Sequence, residues 1–328
     1  MPTALRAVPL ALAGVLLLAA CGTESAGAGA GAGAGGPVSA GKICPSDPQY
    51  GDLSGAGRAT ADAGRPSGTP SPLPVTPSED GEVRITGLYA WGPDSGCGAD
   101  WSADYEITND RAGAVSYTIT FSLTSSSGSA VDSARRTVDS VGPGETVKGT
   151  VVMGSSTGSS AGVSGVKVLK VRSVPDDEAP TASGTCPKSG VHVYADEGDA
   201  AMGLRVVGLH LVNCGTGTYE LNGFPEVEPL DEDHEAVGEV KVLQGASTIS
   251  TGLGDDTARP LTLAPGEAAL ARLAWRNTTE FGDPVNAPYA RIVAKPGADP
   301  VTVIPELDLG TTGKLGVGPW TKDTTRTP

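Results

Sequence analysis

From Val115 to Thr124 the chain alternates without a break. Val115, Tyr117, Ile119, Phe121 and Leu123 are apolar, while Ser116, Thr118, Thr120, Ser122 and Thr124 carry hydroxyls. Successive side chains of a strand point to opposite faces, so a period of two over this length predicts a strand with one buried and one wet face. Shorter apolar runs predict further strands at Glu82–Trp91, Trp101–Thr108, Val131–Val138, Glu145–Met153 and Val166–Val174. Turn residues separate them: Asn109-Asp110, Ser127-Gly128 and Pro143-Gly144, the last suited to a type II turn with Pro at i+1 and Gly at i+2. Short strands at this density predict an immunoglobulin-like β-sandwich over residues 80–175.

A polar, proline-bounded passage over 176–184 then predicts a linker. Strand patterns resume at Val191–Tyr194, Leu204–Val212, Glu226–Leu230, Leu261–Leu263, Ala268–Trp275, Ala290–Ala294 and Val301–Ile304. In Ala268–Trp275, Ala269, Ala271, Leu273 and Trp275 share one face and Arg272 lies on the other, which is strand periodicity. A second β-sandwich over 185–321 follows, with a disordered tail at 322–328. The expected fold is therefore all-β, two immunoglobulin-like sandwiches in series. The halves share a faint echo: Cys44-Pro45 and Cys186-Pro187, Cys97-Gly98 and Cys214-Gly215, Pro143-Gly144-Glu145 and Pro265-Gly266-Glu267. The order is common to both and the spacings are not.

Composition agrees with short strands and many turns, since 73 of the 328 residues are Gly or Pro. The formal charge of −15 opposes unaided nucleic-acid binding, because phosphates are repelled. The beginning of the chain adds a location. Arg6 precedes an uncharged run from Ala7 to Ala20, too short to span a bilayer and of the length of a signal-peptide core. The run closes on Leu18-Ala19-Ala20-Cys21-Gly22, which resembles a bacterial lipobox. That resemblance implies cleavage after residue 20, diacylglycerol on the Cys21 thiol, and a protein held by lipid on the outer face of the cell membrane. Loss of Arg6 leaves 22 basic against 38 acidic residues, a mature charge of −16. Residues 21–79 are rich in Gly, Ala, Pro and Ser and predict a disordered tether.

With Cys21 assigned to lipid, Cys44, Cys97, Cys186 and Cys214 remain in an oxidising compartment and allow three pairings. The simplest keeps each bridge within one folded unit, Cys44 with Cys97 and Cys186 with Cys214. Each would contribute about 3 to 4 kcal/mol by loop closure. No CxxC occurs and His192, His210 and His234 are scattered, so no metal site and no cofactor are expected.

The second half carries Ala201-Met202-Gly203-Leu204, Val212-Asn213-Cys214-Gly215, Leu221-Asn222-Gly223-Phe224-Pro225 and Leu263-Ala264-Pro265-Gly266-Glu267-Ala268-Ala269, ending at Trp275. These residues resemble the secreted actinobacterial domain-of-unknown-function family 4232, over roughly 185–320. The resemblance implies a tethered β-sandwich module and supplies no activity or site residue.

Catalytic motifs are present as strings and lack their context. GxSxG occurs twice within residues 154–162, in a Gly/Ser-rich stretch with no helical pattern after it to expose a nucleophile. Ser164-Gly165-Val166-Lys167 matches SxxK, but on a strand an offset of three puts the two side chains on opposite faces. The acidic run Glu228, Asp231, Glu232, Asp233, His234, Glu235 lacks EF-hand spacing and reads as a hairpin tip over 228–235. His210 sits in an apolar strand. Trp91, Trp101, Trp275 and Trp320 are expected in cores rather than on a carbohydrate platform. No catalytic residue is assigned. The expectation is a non-enzymatic, lipid-anchored envelope protein that binds a cell-envelope protein or glycan through its sandwiches. Its alternative is an envelope hydrolase using a dispersed carboxylate pair.

Overall fold

The computed structural model describes residues 42–45, 67–68, 70–73, 75, 81–91, 97, 99–153 and 162–324. Among these, helix is confined to two single 3-10 turns, Asp176–Glu178 and Ala246–Thr248; strand dominates the rest. Cys21, most of the tether and the two GxSxG serines lie outside the described residues.

A two-residue ladder, β1 (Lys42–Ile43) with β2 (Ser67–Gly68), precedes the first sandwich. One sheet of that sandwich runs β3 (Ser71–Leu73), β4 (Val83–Ala90), β5 (Trp101–Thr108), β8 (Thr146–Met153). The other runs β7 (Ala130–Val141), β6 (Val115–Ser125), β9 (Val163–Pro175). Their inner faces enclose Val83, Ile85, Tyr105, Ile107, Tyr117, Ile119, Phe121, Leu123 and Val151, all nearly inaccessible. The alternation in β6 therefore does what its period demands. Two antiparallel sheets therefore face each other across this core, and the expected sandwich is present. Strands also extend past their apolar signal, β7 to Val141 and β9 back to Val163, because their outward polar residues continue the ladder.

The second sandwich is built from β10 (Val191–Ala195), β11 (Asp199–Ala201), β12 (Leu204–Asn213), β13 (Tyr219–Asn222), β14 (Glu226–Leu230), β15 (Lys241–Gln244), β16 (Pro260–Leu263), β17 (Ala268–Arg276), β18 (Asn286–Ala287), β19 (Tyr289–Val293), β20 (Val301–Val303), β21 (Leu307–Asp308), β22 (Lys314–Val317) and β23 (Thr321–Lys322). Its main sheet is β10-β12-β17-β22-β15, with β11 on β12 and β23 on β17. Smaller sheets β13-β16, β14-β19-β20 and β18-β21 cover it. Leu209, Leu211, Leu263, Leu273, Trp275, Ile292, Leu315 and Trp320 fill the space between. Lys322, expected in the tail, instead pairs with Ala269 at the end of β23, and the Asp323 amide donates to the Ala268 carbonyl. Cys44–Cys97 and Cys186–Cys214 are bridged, with Cα separations of 5.1 and 5.6 Å.

Both sandwiches share one corner, bond for bond. In the first, Asn109 Nδ2 donates to the carbonyls of Gly113 and Val141, both at 2.8 Å, and its Oδ1 accepts from the Arg111 amide. In the second, Asn213 Nδ2 donates to Gly217 and Leu263 at 2.8 and 2.9 Å, and its Oδ1 accepts from the Gly215 amide. The facing turns correspond as well. The amide of Gly144 donates to the carbonyl of Asn109 and that of Gly266 to Asn213; the amides of Asn109 and Asn213 donate to the carbonyls of Glu145 and Glu267. Glu145 and Glu267 then fold back to accept the amides of Gly142 and Ala264.

Candidate ligand cleft between the sandwiches

The outward face of β7-β6-β9 is polar and basic for a geometric reason. Arg135 and Lys170 both stand opposite Thr120, and Thr137 and Arg172 both stand opposite Thr118, so two cross-strand rows place three cations beside a threonine pair. The second sandwich meets this face with the 195–199 loop, β11 and the 304–308 segment. Between them opens a cleft of about 620 Å³. A narrower groove of about 280 Å³ continues it past Ser116, Thr118, Thr137 and Tyr194, sharing Arg135, Asp196, Glu197 and Ile304 with the cleft.

One side of the cleft is closed by ion pairs. Glu306 accepts from Lys170 Nζ at 2.8 Å and from Arg172 Nε at 2.9 Å, and Arg172 also reaches Glu232 at 2.5 Å. Arg172 is only 12% exposed. Burial alone would raise the Glu306 carboxyl, but the Arg172 and Lys170 donors outweigh it and hold the group below the usual carboxylate range. Glu306 takes a left-handed backbone, φ 53°, to point back at these cations. Behind the ion pairs Val174, Leu230 and Tyr289 form a small apolar cluster, and the Ser173 amide donates to the Tyr289 hydroxyl at 3.1 Å. Burial raises the Tyr289 phenol above its ordinary value, so it stays a neutral acceptor. The linker contributes Glu178, which accepts from Arg291 at 3.1 Å and from Thr302 at 2.6 Å.

The other end of the cleft keeps charges available. Arg135, Glu197 and Asp199 form no ion pair with a described residue. Asp196 beside them is committed. Its Oδ1 accepts the amides of Gly198 and Gly208, and its Oδ2 lies 3.2 Å from His210 Nε2. His210 Nδ1 lies 3.2 Å from Asp323, whose carboxylate is fully buried, and the imidazole stacks on Tyr194 at 4.9 Å. His210 thus ties the cleft lip to the last strand.

The residues singled out in the sequence fall into place individually. Ser164 and Lys167 are both exposed, because a bulge near Thr124/Ser125 breaks the alternation that would have separated them. Trp91, Trp275 and Trp320 are buried, their indole N–H groups satisfied by Ser102, Asp308 and the Ala294 carbonyl; Trp101 is half-buried against the first core. The acidic run is a tight turn: Asp231 accepts the amides of Asp233 and Glu235, while Glu228 and Glu232 reach Arg291 and Arg172. Among the described residues no three His, Cys, Asp or Glu side chains converge in metal-binding geometry, and no helix is long and apolar enough to cross a membrane. Arg135, Lys170, Arg172 and Glu306 matter most to the cleft and belong to no motif. Their only signal was the Lys170/Arg172 alternation in β9.

No curated protein matches the chain. The second sandwich does match a family: residues 186–321 fit the model described as Domain of unknown function (DUF4232), and the chain carries a DUF4232 domain at its C-terminal end.

Proposed function

We propose that this is a non-enzymatic binding protein, anchored by lipid on Cys21 to the outer face of the cell membrane, which receives a cell-envelope protein or glycan in the cleft between its two sandwiches. The observation that carries it is the cleft itself: about 620 Å³, walled by both modules, with Arg135, Glu197 and Asp199 forming no ion pair with a described residue. Concave sites with a few convergent polar groups between domains are where ligands bind. The mixed charge suits a ligand with groups of both signs, and the Thr118 and Thr137 hydroxyls extend the polar floor. The lipobox resemblance at Cys21 supports the location.

Photo-crosslinking in intact cells tests the site. Benzoylphenylalanine placed at Thr137 should give a discrete adduct that Arg135→Glu abolishes, and the same group at Ser127 on the remote β6–β7 turn should give none. Equal adducts from both positions would remove the cleft from consideration. Replacing Cys21 by Ala should release the protein from membranes; unchanged membrane retention would refute the anchor.

A further inference from the structure

We propose that His234 is an acid-triggered release for the junction between the two sandwiches. His234 stands at the tip of the turn joining Leu230 to Ala236, with a left-handed backbone, φ 64°, that a side chain adopts only when its surroundings hold it there. Its ring packs on Tyr289 with centroids 4.2 Å apart. The Nε2 atom is buried and meets no hydrogen-bond partner among the described residues. An imidazole so placed is tolerated neutral and penalised when charged.

The groups facing it act in the same sense. From β9, Arg172 lies 5.9 Å over the same Tyr289 ring. Arg111, from the turn before β6, and Arg291, from β19, both oppose an imidazolium. Glu178 of the linker and the Ser173 backbone favour it more weakly than burial opposes it, and the balance lowers the imidazole below its ordinary value. On its own turn Asp231 is occupied by backbone amides and Glu232 by Arg172.

The direction of the effect follows. Once the junction parts, His234 returns to water and to an ordinary titration near pH 6.5. Docking is therefore at full strength above about pH 6.5 and weakens as the pH falls, because the parted form takes a proton that the docked form refuses. At pH 5 this favours parting by no more than roughly 30-fold. Glu306, held low by its cations, stays ionised over the same interval, so the ion pairs persist while His234 titrates. The junction joins both walls of the cleft, so its release would also loosen any ligand bound there. That last consequence rests on the proposed binding function; the release itself does not.

The Ser173 amide reports the state of the junction directly. It lies on the outer edge of β9 and donates to Tyr289 rather than to a neighbouring strand. Hydrogen exchange of the full chain, without ligand and corrected for the chemical exchange rate, should show Ser173 protection falling about tenfold to 30-fold from pH 7.5 to pH 5. Ile119, fully buried in β6, should keep its protection. His234→Phe, which retains the ring on Tyr289 without a titrating nitrogen, should abolish the fall. Constant Ser173 protection in the wild type, which is decisive even where the variant fails to fold, would overturn the proposal. So would an equal fall in a folded His234→Phe protein.

Discussion

Replacing Asn213 by alanine should be among the most damaging single substitutions in the second sandwich, although it touches no ligand-facing residue. The side chain is 2% exposed and makes three hydrogen bonds, two donated to the Gly217 and Leu263 carbonyls and one accepted from the Gly215 amide. Alanine removes all three. A buried group left without its partner costs about 1 to 3 kcal/mol, and these three share one network, so the total is roughly 3 to 5 kcal/mol rather than their sum. For a domain of this size, each kcal/mol moves the melting midpoint by about 3 to 4 °C, so calorimetry should show the second sandwich melting roughly 10 to 18 °C lower. Asn213→Asp keeps the acceptor but turns a carboxylate oxygen toward the Gly217 and Leu263 carbonyls, and should destabilise at least as much as alanine at neutral pH. A shift under about 2 °C for Asn213→Ala would refute the claim that this corner stabilises the domain.

Gly149→Ala puts a methyl 2.5 Å from the buried Tyr105 ring, inside any permitted contact, and should destabilise the first sandwich by about 1 to 3 kcal/mol in denaturant titration. Glu306→Gln leaves Arg172 and Lys170 without their shared carboxylate and should weaken docking by roughly 1 to 3 kcal/mol, seen as faster Ser173 exchange at pH 7.5. Because the folded Glu306 titrates below its unfolded value, its stabilisation is complete above the unfolded value and is lost as the pH falls through the folded one, so the variant and wild type should converge in strong acid. Cys186→Ser with Cys214→Ser opens a loop with a sequence separation of 28 and should cost about 3 kcal/mol, again read from the melting of the second sandwich.

Strands were legible where one face is buried and the other wet. Val115–Ser125 and Trp101–Thr108 announce themselves by alternation, and Ala268–Arg276 by one apolar face with arginines opposite. β13, β15 and β22 were not, because each is four residues long and holds its place through partners distant in sequence. β15 pairs in parallel with β22, and Lys241, Val242 and Gln244 are exposed. A segment like that carries no period of its own. The cleft was illegible for a related reason. Lys170 and Arg172 meet Glu306 across more than 130 residues, and a charged residue on a strand's wet face gives no sign of whether it faces solvent or another module. Sheet order escaped too, since local alternation says which face is inward and nothing about which strand lies beside it.

The echo between the halves separates into a part that the fold uses and a part that it does not. The cysteines are not equivalent: Cys97 precedes β5, whereas Cys214 follows β12, so the bridges brace different ends of their sandwiches. The Asn and Pro-Gly-Glu elements are equivalent. Asn109 and Asn213 each close a strand that pairs antiparallel with the strand leaving the Pro-Gly-Glu turn, β5 with β8 and β12 with β17. Each also bonds the last carbonyl of the strand entering that turn, Val141 in β7 and Leu263 in β16. Those entering strands pair with the strands that follow the asparagine turns, β6 with β7 and β13 with β16. One four-strand plan therefore accounts for both corners, despite different spacings between its parts. Hydrogen bonds at a corner require fixed residues at fixed atoms, while the strands and loops between corners tolerate changes in length. The constraint that makes Asn213→Ala costly in the second sandwich applies at Asn109 in the first, where the Tyr117 hydroxyl adds a further bond to Oδ1 at 3.1 Å. Asn109→Ala should accordingly cost the first sandwich at least as much as Asn213→Ala costs the second. A marked asymmetry in the opposite direction would mean that the shared corner has lost its role in one module.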